Sequence, residues 1–237
     1  MPNGAANSIA ENLARVHERI DRAAQRAGRR VDEITLVAVS KTFSADAIRA
    51  AYDAGLRHFG ENRVQEMQAK RPQLAGLEAT WHFIGHLQSN KVRPAVEFFD
   101  RVDAVDSIPL ARKLDAAATE HGKRLAVLIE VHLGSEGGKS GVEPGSLPAL
   151  ADAIDLLASL DLRGLMAVPP YSDDPERVRP YFRQLRELRD ALSQRLGRPL
   201  PALSMGMSHD FEVAIEEGAT EIRVGTALFG ARPRKAG

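Results

Sequence analysis

The chain has no cysteine among its 237 residues, which excludes disulfides, thiolate nucleophiles and cysteine-held zinc, and suits a reducing compartment. It also lacks an excess of either charge: Lys+Arg and Asp+Glu are 32 each, so nothing in the balance advertises nucleic acid or an anionic membrane as partner. No stretch approaches the roughly 20 apolar residues of a membrane span, and the opening MPNGAANSIAENLARVHERID has no apolar signal core. There is no low-complexity tract and no linker long enough to separate domains. The expectation is a cytoplasmic protein forming a single domain over residues 1–237, with 43% hydrophobic residues to bury one large core.

What is present is alternation. Strand candidates at 33–41, 58–62, 81–85, 101–107, 124–131, 162–168, 202–205 and 221–230 are separated by helix-length segments. The clearest helices are 109–121, 147–160, 175–196 (Pro180 in its early turns) and about 210–217. A further helix precedes the first strand: Ser8 with Glu11 opens it, Ile9, Leu13, Val16 and Ile20 form its stripe, and it stops near Gly28. Ser44 caps the helix after the first strand. Eight strands alternating with helices, in a chain close to the roughly 250 residues typical of such folds, predict a (β/α)8 TIM barrel with an additional N-terminal helix. An open doubly wound sheet is the alternative, but no G-x-G-x-x-G follows the first strand.

The first strand, EITLVAVSK, has no polar face and ends on Lys41. Barrels place their ligands at the C-terminal ends of strands. An amine held against such a wall tends to lose its proton and to trap carbonyl compounds, pyridoxal phosphate (PLP) among them, as a Schiff base. A lysine that merely snorkels out of a strand end is the plainer alternative. A second feature bears on the choice. SMGMS (204–208) follows the seventh strand and Gly225-Thr226 lies at the eighth, where barrels commonly hold a phosphate on glycine-rich turns, hydroxyls and a helix start. Either segment alone could be small residues chosen for packing; with a strand-end lysine, the pair favours a phosphorylated aldehyde.

Other motifs are decoys. GSEGGKSG (134–141) has three residues between Gly134 and Gly138 where a nucleotide loop needs four, and Val142-Glu143-Pro144-Gly145 interrupts the helix that should follow; a flexible loop presenting Lys139 is the expectation. His82 and His86 stand four apart, but on a strand and loop and without the H-E-x-x-H glutamate, which argues against zinc. Ser208-His209-Asp210 is contiguous, unlike a catalytic triad, and Ser208 and Asp210 are expected to cap the next helix. The last residues, ARPRKAG, read as a loosely ordered basic tail.

From about residue 8 to 232, the chain resembles one family, the single-domain pyridoxal phosphate homeostasis proteins (YggS/PROSC). The resemblance is carried by VAVSK, FGEN with VQE, WHFIGHLQSNK, the K-S-G after the fifth strand, GLMAV, SMGMS-x-D and IRVGTALFGAR. It implies a barrel like that of alanine racemase, with PLP on Lys41 as an internal aldimine. It further implies Asn62 beside the cofactor ring, Ser204, Gly225 and Thr226 as phosphate ligands, and Arg223 facing the pyridine nitrogen. The chain departs from the family at His132-Leu133-Gly134 and at Arg63, where a tyrosine is frequent.

Two functions then compete: a non-catalytic carrier that buffers PLP and delivers it to apo PLP-dependent enzymes, and a PLP-dependent amino-acid racemase or decarboxylase. Barrel-type PLP enzymes of the second kind carry a further β domain, for which no sequence follows residue 232. A cation against the ring nitrogen also weakens the ring as an electron sink. The expectation is the carrier, acting as a monomer.

Overall fold

A strand without a polar face must be covered on both sides, and the chain supplies that cover by following each such strand with a helix. The computed structural model describes residues 3–134 and 140–231. The strands are β1 Thr35–Val39, β2 His58–Glu61, β3 Thr80–Phe83, β4 Arg101–Val105, β5 Leu125–Glu130, β6 Leu160–Met166, β7 Ala202–Met207 and β8 Glu221–Val224. All pair in parallel, each with its successor, and β1 pairs with β8, so the sheet closes as a (β/α)8 barrel. The helices are α1 Asn3–Arg26, α2 Ala45–Asp53, α3 Val64–Lys70, α4 Val92–Phe98, α5 Ile108–Glu120, α6 Leu147–Asp155, α7 Arg179–Leu196, α8 Phe211–Glu216 and α9 Thr226–Phe229. The additional helix α1 packs against α2, α8 and α9.

Local chemistry accounts for most boundaries. Ser44 caps α2 by accepting the Ala47 N–H. Gly28, at φ 63°, takes the left-handed turn just past α1. α1 begins at Asn3 rather than at Ser8, because Ala5 and Ala6 extend a helix readily. The expected helix 147–160 ends at Asp155, and Leu160 already belongs to β6. Residues 175–177 form a separate short turn, so Pro180 falls in the first turn of α7, where its missing N–H costs nothing. The expected strand 221–230 stops at Val224, and the chain turns at Gly225 into α9.

The main apolar core is the annulus between sheet and helices, with Phe59, Trp81, Phe83, Phe99, Phe182 and Phe211 fully buried there. Inside the barrel the apolar filling is small, a cluster of Ala104, Leu128, Met166 and Ala202. The rest of the interior is polar. Arg101 donates to both carboxylate oxygens of Glu221, at 2.9 and 3.1 Å, and through Nε to Asp103 at 2.7 Å, tying β4 to β8 across the barrel. The other Asp103 oxygen lies 3.0 Å from His82 Nδ1, and His82 Nε2 lies 3.1 Å from His58 Nδ1. A carboxylate only accepts, so His82 donates to Asp103 through Nδ1, and one shared proton joins its Nε2 to His58. Although burial alone would raise the Asp103 carboxyl, Arg101 and His82 hold it below its usual range. Burial, with His82 and Arg101 nearby, pushes His58 down to about 4.

Two outcomes follow from this packing. A Cβ on Gly164 would stand 1.8 Å from the Ala202 carbonyl oxygen, on backbone that cannot step aside. Gly164→Ala should therefore cost at least about 1–3 kcal/mol of unfolding free energy by urea titration; an unchanged midpoint would refute the close approach. His58 takes up a proton near 6.5 when unfolded but only near 4 when folded, so its contribution to stability is complete above pH 6.5 and is lost as pH falls toward 4. The wild type should lose melting temperature more steeply than His58→Asn across that window. Parallel curves would show that His58 does not titrate as its surroundings dictate.

Candidate functional site

Lys41 lies two residues past the end of β1, half-buried at the mouth where the strands end. It lines a cavity of about 380 Å³ together with Phe43, Ile84, Arg223, Gly225 and Thr226. That volume falls among small-molecule sites, roughly 300–1,000 Å³. β1 and β8 are hydrogen-bonded neighbours, and their register places the residues that follow them side by side, which is why a lysine from the first strand meets Gly225-Thr226 from the last.

Arg223 forms the buried part of this wall. Its Nη1 donates to Ser204 Oγ at 2.7 Å and its Nη2 to the Ala167 carbonyl at 2.8 Å, joining β8 to β7 and to the residue after β6. Burial pushes the guanidinium below its ordinary value, against the pull of Asp103, Glu130, Asp210 and Glu221, but an arginine remains charged in proteins. Glu130, at the end of β5, is pushed up to about 7 by burial, with Arg223 the main opposing influence.

The expected site residues divide. Lys41, Arg223, Gly225 and Thr226 share the cavity. Ser204 does not reach it: it lies inside β7, fully buried, with its hydroxyl taken by Arg223. The serine at the cavity is Ser208, beyond the end of β7, where the chain has left the barrel wall. Its Oγ accepts the N–H groups of Gly225 (3.2 Å) and Ala227 (3.3 Å), so two backbone donors converge on one oxygen. This corrects the expectation that Ser208 caps α8; Asp210 does stand at the N-cap position of α8, but its carboxylate turns back and accepts the Met207 N–H at 2.6 Å. Asn62 lies on an adjoining cavity of about 650 Å³ with Arg63 and His86. Gly85 is required there, since a Cβ would meet the Asn62 carbonyl oxygen at 2.5 Å.

Sequence reasoning missed the rim. Tyr171, from the segment between β6 and α7, donates its hydroxyl to Asp173 at 3.0 Å, while His209 Nε2 donates to the Asp173 carbonyl at 3.0 Å. Only their place after strand ends could have marked them. α1 supports the cradle from behind: Asn12 donates to the Leu228 carbonyl at 2.8 Å, and Arg19 reaches the Ser208 carbonyl at 3.4 Å. His82 has both ring nitrogens engaged inside the barrel, whereas His86 sits at the mouth 3.5 Å from Asp106, so the pair forms no shared metal site. His82, Asp103 and Glu221 do lie close enough to ligate an ion, but Arg101 already supplies the cation among them. Lys139 and the tail 232–237 fall outside the described residues. No helix among the described residues is long and apolar enough to cross a membrane.

The family model described as alanine racemase, N-terminal domain, matches residues 12–233. The pyridoxal phosphate homeostasis protein of Aquifex aeolicus is 49% identical over 222 residues, covering 94% of this chain and 97% of that protein. Among solved structures, PipY of Synechococcus elongatus with PLP bound is 42% identical, with a TM-score of 0.83 over 94% of this chain and 100% of that one. The alanine racemase of Clostridium difficile, 14% identical, shares the fold with a TM-score of 0.75 over 97% of this chain and 58% of that one. With a strand-end lysine, a converging set of backbone donors and full-length relatives in agreement, the chain belongs to the pyridoxal phosphate homeostasis protein family, on the barrel of the alanine racemase N-terminal domain.

Proposed function

We propose that this barrel binds pyridoxal 5'-phosphate through Lys41 and serves the cell's supply of it without turning over an amino-acid substrate. The observation that carries the reading is the meeting of Lys41 with the Ser208, Gly225 and Thr226 group on one cavity. The names of the relatives, and PLP in the PipY structure, support it. When bound, PLP supplies an aldehyde that an amine captures with loss of water, and a ring that withdraws electrons from what is attached to it.

The chain's own groups fit that ligand. Lys41 would supply the amine. Ser208 Oγ already accepts two N–H groups, so its own O–H remains as a donor for a phosphate oxygen, and Thr226 adds a second hydroxyl at the same wall. Asn62 would approach the ring from the adjoining cavity. Ser204 acts one step back, by fixing the guanidinium of Arg223. Arg223 would hold a permanent positive charge against the ring nitrogen, which disfavours a proton there and withholds the electron-withdrawing power that amino-acid chemistry draws on. We extend the reading to a cytoplasmic, single-domain monomer that passes PLP to apo-enzymes, a setting that the cysteine-free, charge-balanced composition supports. The alternative, a racemase or decarboxylase, has the likeness of the barrel behind it.

Lys41→Ala should abolish the borohydride-reducible PLP adduct while leaving the melting temperature of ligand-free protein close to wild type; a single-site adduct at full stoichiometry in the variant would sink the assignment. Ser208→Ala and Thr226→Val should each weaken retention of PLP by about 1.5–3 kcal/mol, the worth of a hydrogen bond to a charged group, and retention of pyridoxal far less. Equal weakening of both ligands would mean that these residues act by packing. Loaded protein incubated with L-alanine and other amino acids in deuterated water should show little Cα exchange by NMR. Turnover on the order of 1 per second, ordinary for an enzyme, that vanished in Lys41→Ala would overturn the carrier reading.

A further inference from the structure

Beside Lys41, and outside the residues that line its cavity, lies a largely buried polar cluster that holds the neighbours of Lys41 in the chain. Lys70, in the last turn of α3, is buried, and its Nζ donates to three oxygens: the Ser40 carbonyl at 3.0 Å, Glu61 Oε1 at 2.8 Å and Glu66 Oε1 at 2.7 Å. Ser40 Oγ donates to the same Glu61 oxygen at 2.8 Å, and the Glu66 carboxylate accepts the N–H of Thr42. The residues on either side of Lys41 are thus both held from α3 and the end of β2, Ser40 by its carbonyl and hydroxyl and Thr42 by its amide.

Two local penalties coincide at this place. Thr42 has φ 70°, the only positive value at a non-glycine among the described residues, and for a β-branched side chain that region is strained. Glu61 Oε2 is the one buried side-chain oxygen without a hydrogen-bond partner among the described residues, and burial pushes that carboxyl up against the pull of Lys70 and Ser40. Strain of this kind persists where the surroundings over-determine a geometry, and it gathers at functional sites. Glu61, Glu66 and Lys70 are not among the residues lining the Lys41 cavity.

We propose that Glu66 and Lys70, seated on Glu61, are positioning residues that clamp the backbone on both sides of Lys41 and so set the direction in which its amine enters the cavity. The proposal rests on Lys41 being the PLP-binding amine. A loose turn would leave the lysine present but rarely aligned, and misplacement by about an ångström can lower a rate by as much as 100-fold. Glu66 is the partner to remove, because its side chain is partly exposed and its loss leaves Lys70 paired with Glu61.

The test compares Glu66→Ala, Glu66→Gln and wild type, all purified free of PLP. Amide hydrogen exchange at Thr42 and Phe43, and acetylation of Lys41 by acetic anhydride, are measured without ligand; the rate of PLP capture is then followed by absorbance, with thermal melting as the check on folding. Glu66→Ala should speed exchange at Thr42 at least about tenfold, change the acetylation rate of Lys41 and slow PLP capture about tenfold at a temperature where it is fully folded. Glu66→Gln, which keeps an oxygen for the Thr42 N–H, should restore most of each. Wild-type exchange at Thr42, or wild-type capture despite faster exchange, would overturn the proposal, as would a loss of melting temperature with no change in the Lys41 readouts. Should Lys41→Ala still form the PLP adduct, the assignment of the amine fails, while exchange and acetylation still decide whether the clamp holds residue 41.

Discussion

Closing eight parallel strands into a ring creates an interior that side chains alone must fill, and here that space is given largely to charge. Arg101 with Glu221 and Asp103 at one level, and Arg223 with Ser204 at another, take the place of the layered aliphatic residues common in such barrels. Buried charges of this kind contribute little net stability against apolar substitutes, but each becomes expensive once a partner is removed. The network is therefore a constraint on register. Arg101 joins β4 to β8 across the ring, and Arg223 joins β8 to β7 and to the residue after β6.

That constraint sets the floor of the cavity. The Arg223 guanidinium is held by one hydroxyl and one carbonyl, both neutral, so its charge is oriented without being cancelled by a direct carboxylate contact. Glu130 lies close enough to be influenced by it, yet sits in surroundings that favour its protonated form up to about pH 7. The result is a wall whose positive charge is fixed in place before any ligand arrives, which is the preorganised arrangement that binding an anionic ligand favours.

Much of this was legible in the sequence, for identifiable reasons. The first strand announces itself as an almost unbroken apolar run, and the helix-length segments between the later strand candidates carry caps and stripes, so order and topology followed from their alternation. Lys41, Gly225 and Thr226 were visible because they stand at strand ends. Ser204 and Ser208 were not separable. They belong to one five-residue segment, and telling them apart requires knowing that β7 runs to Met207, which keeps Ser204 within the wall and frees Ser208 at the mouth. The roles of Glu66 and Lys70 were also hidden, since a polar helix looks the same from its sequence whether its charges face solvent or grip the neighbouring turn.

The seam between β1 and β8 has a temporal consequence. Lys41 follows the first strand and the donors around Ser208 come from the last quarter of the chain, and α1 donates to the carbonyls of Leu228 and Ser208 beside them through Asn12 and Arg19, 216 and 189 residues away from their partners. On a ribosome, the cavity cannot exist until nearly the whole barrel has emerged. Contacts so distant in sequence close late and slowly. A molecule that bridges the two strands is therefore a staple across the last joint to form, and it should slow the opening of the barrel by more than its affinity for any single strand would imply.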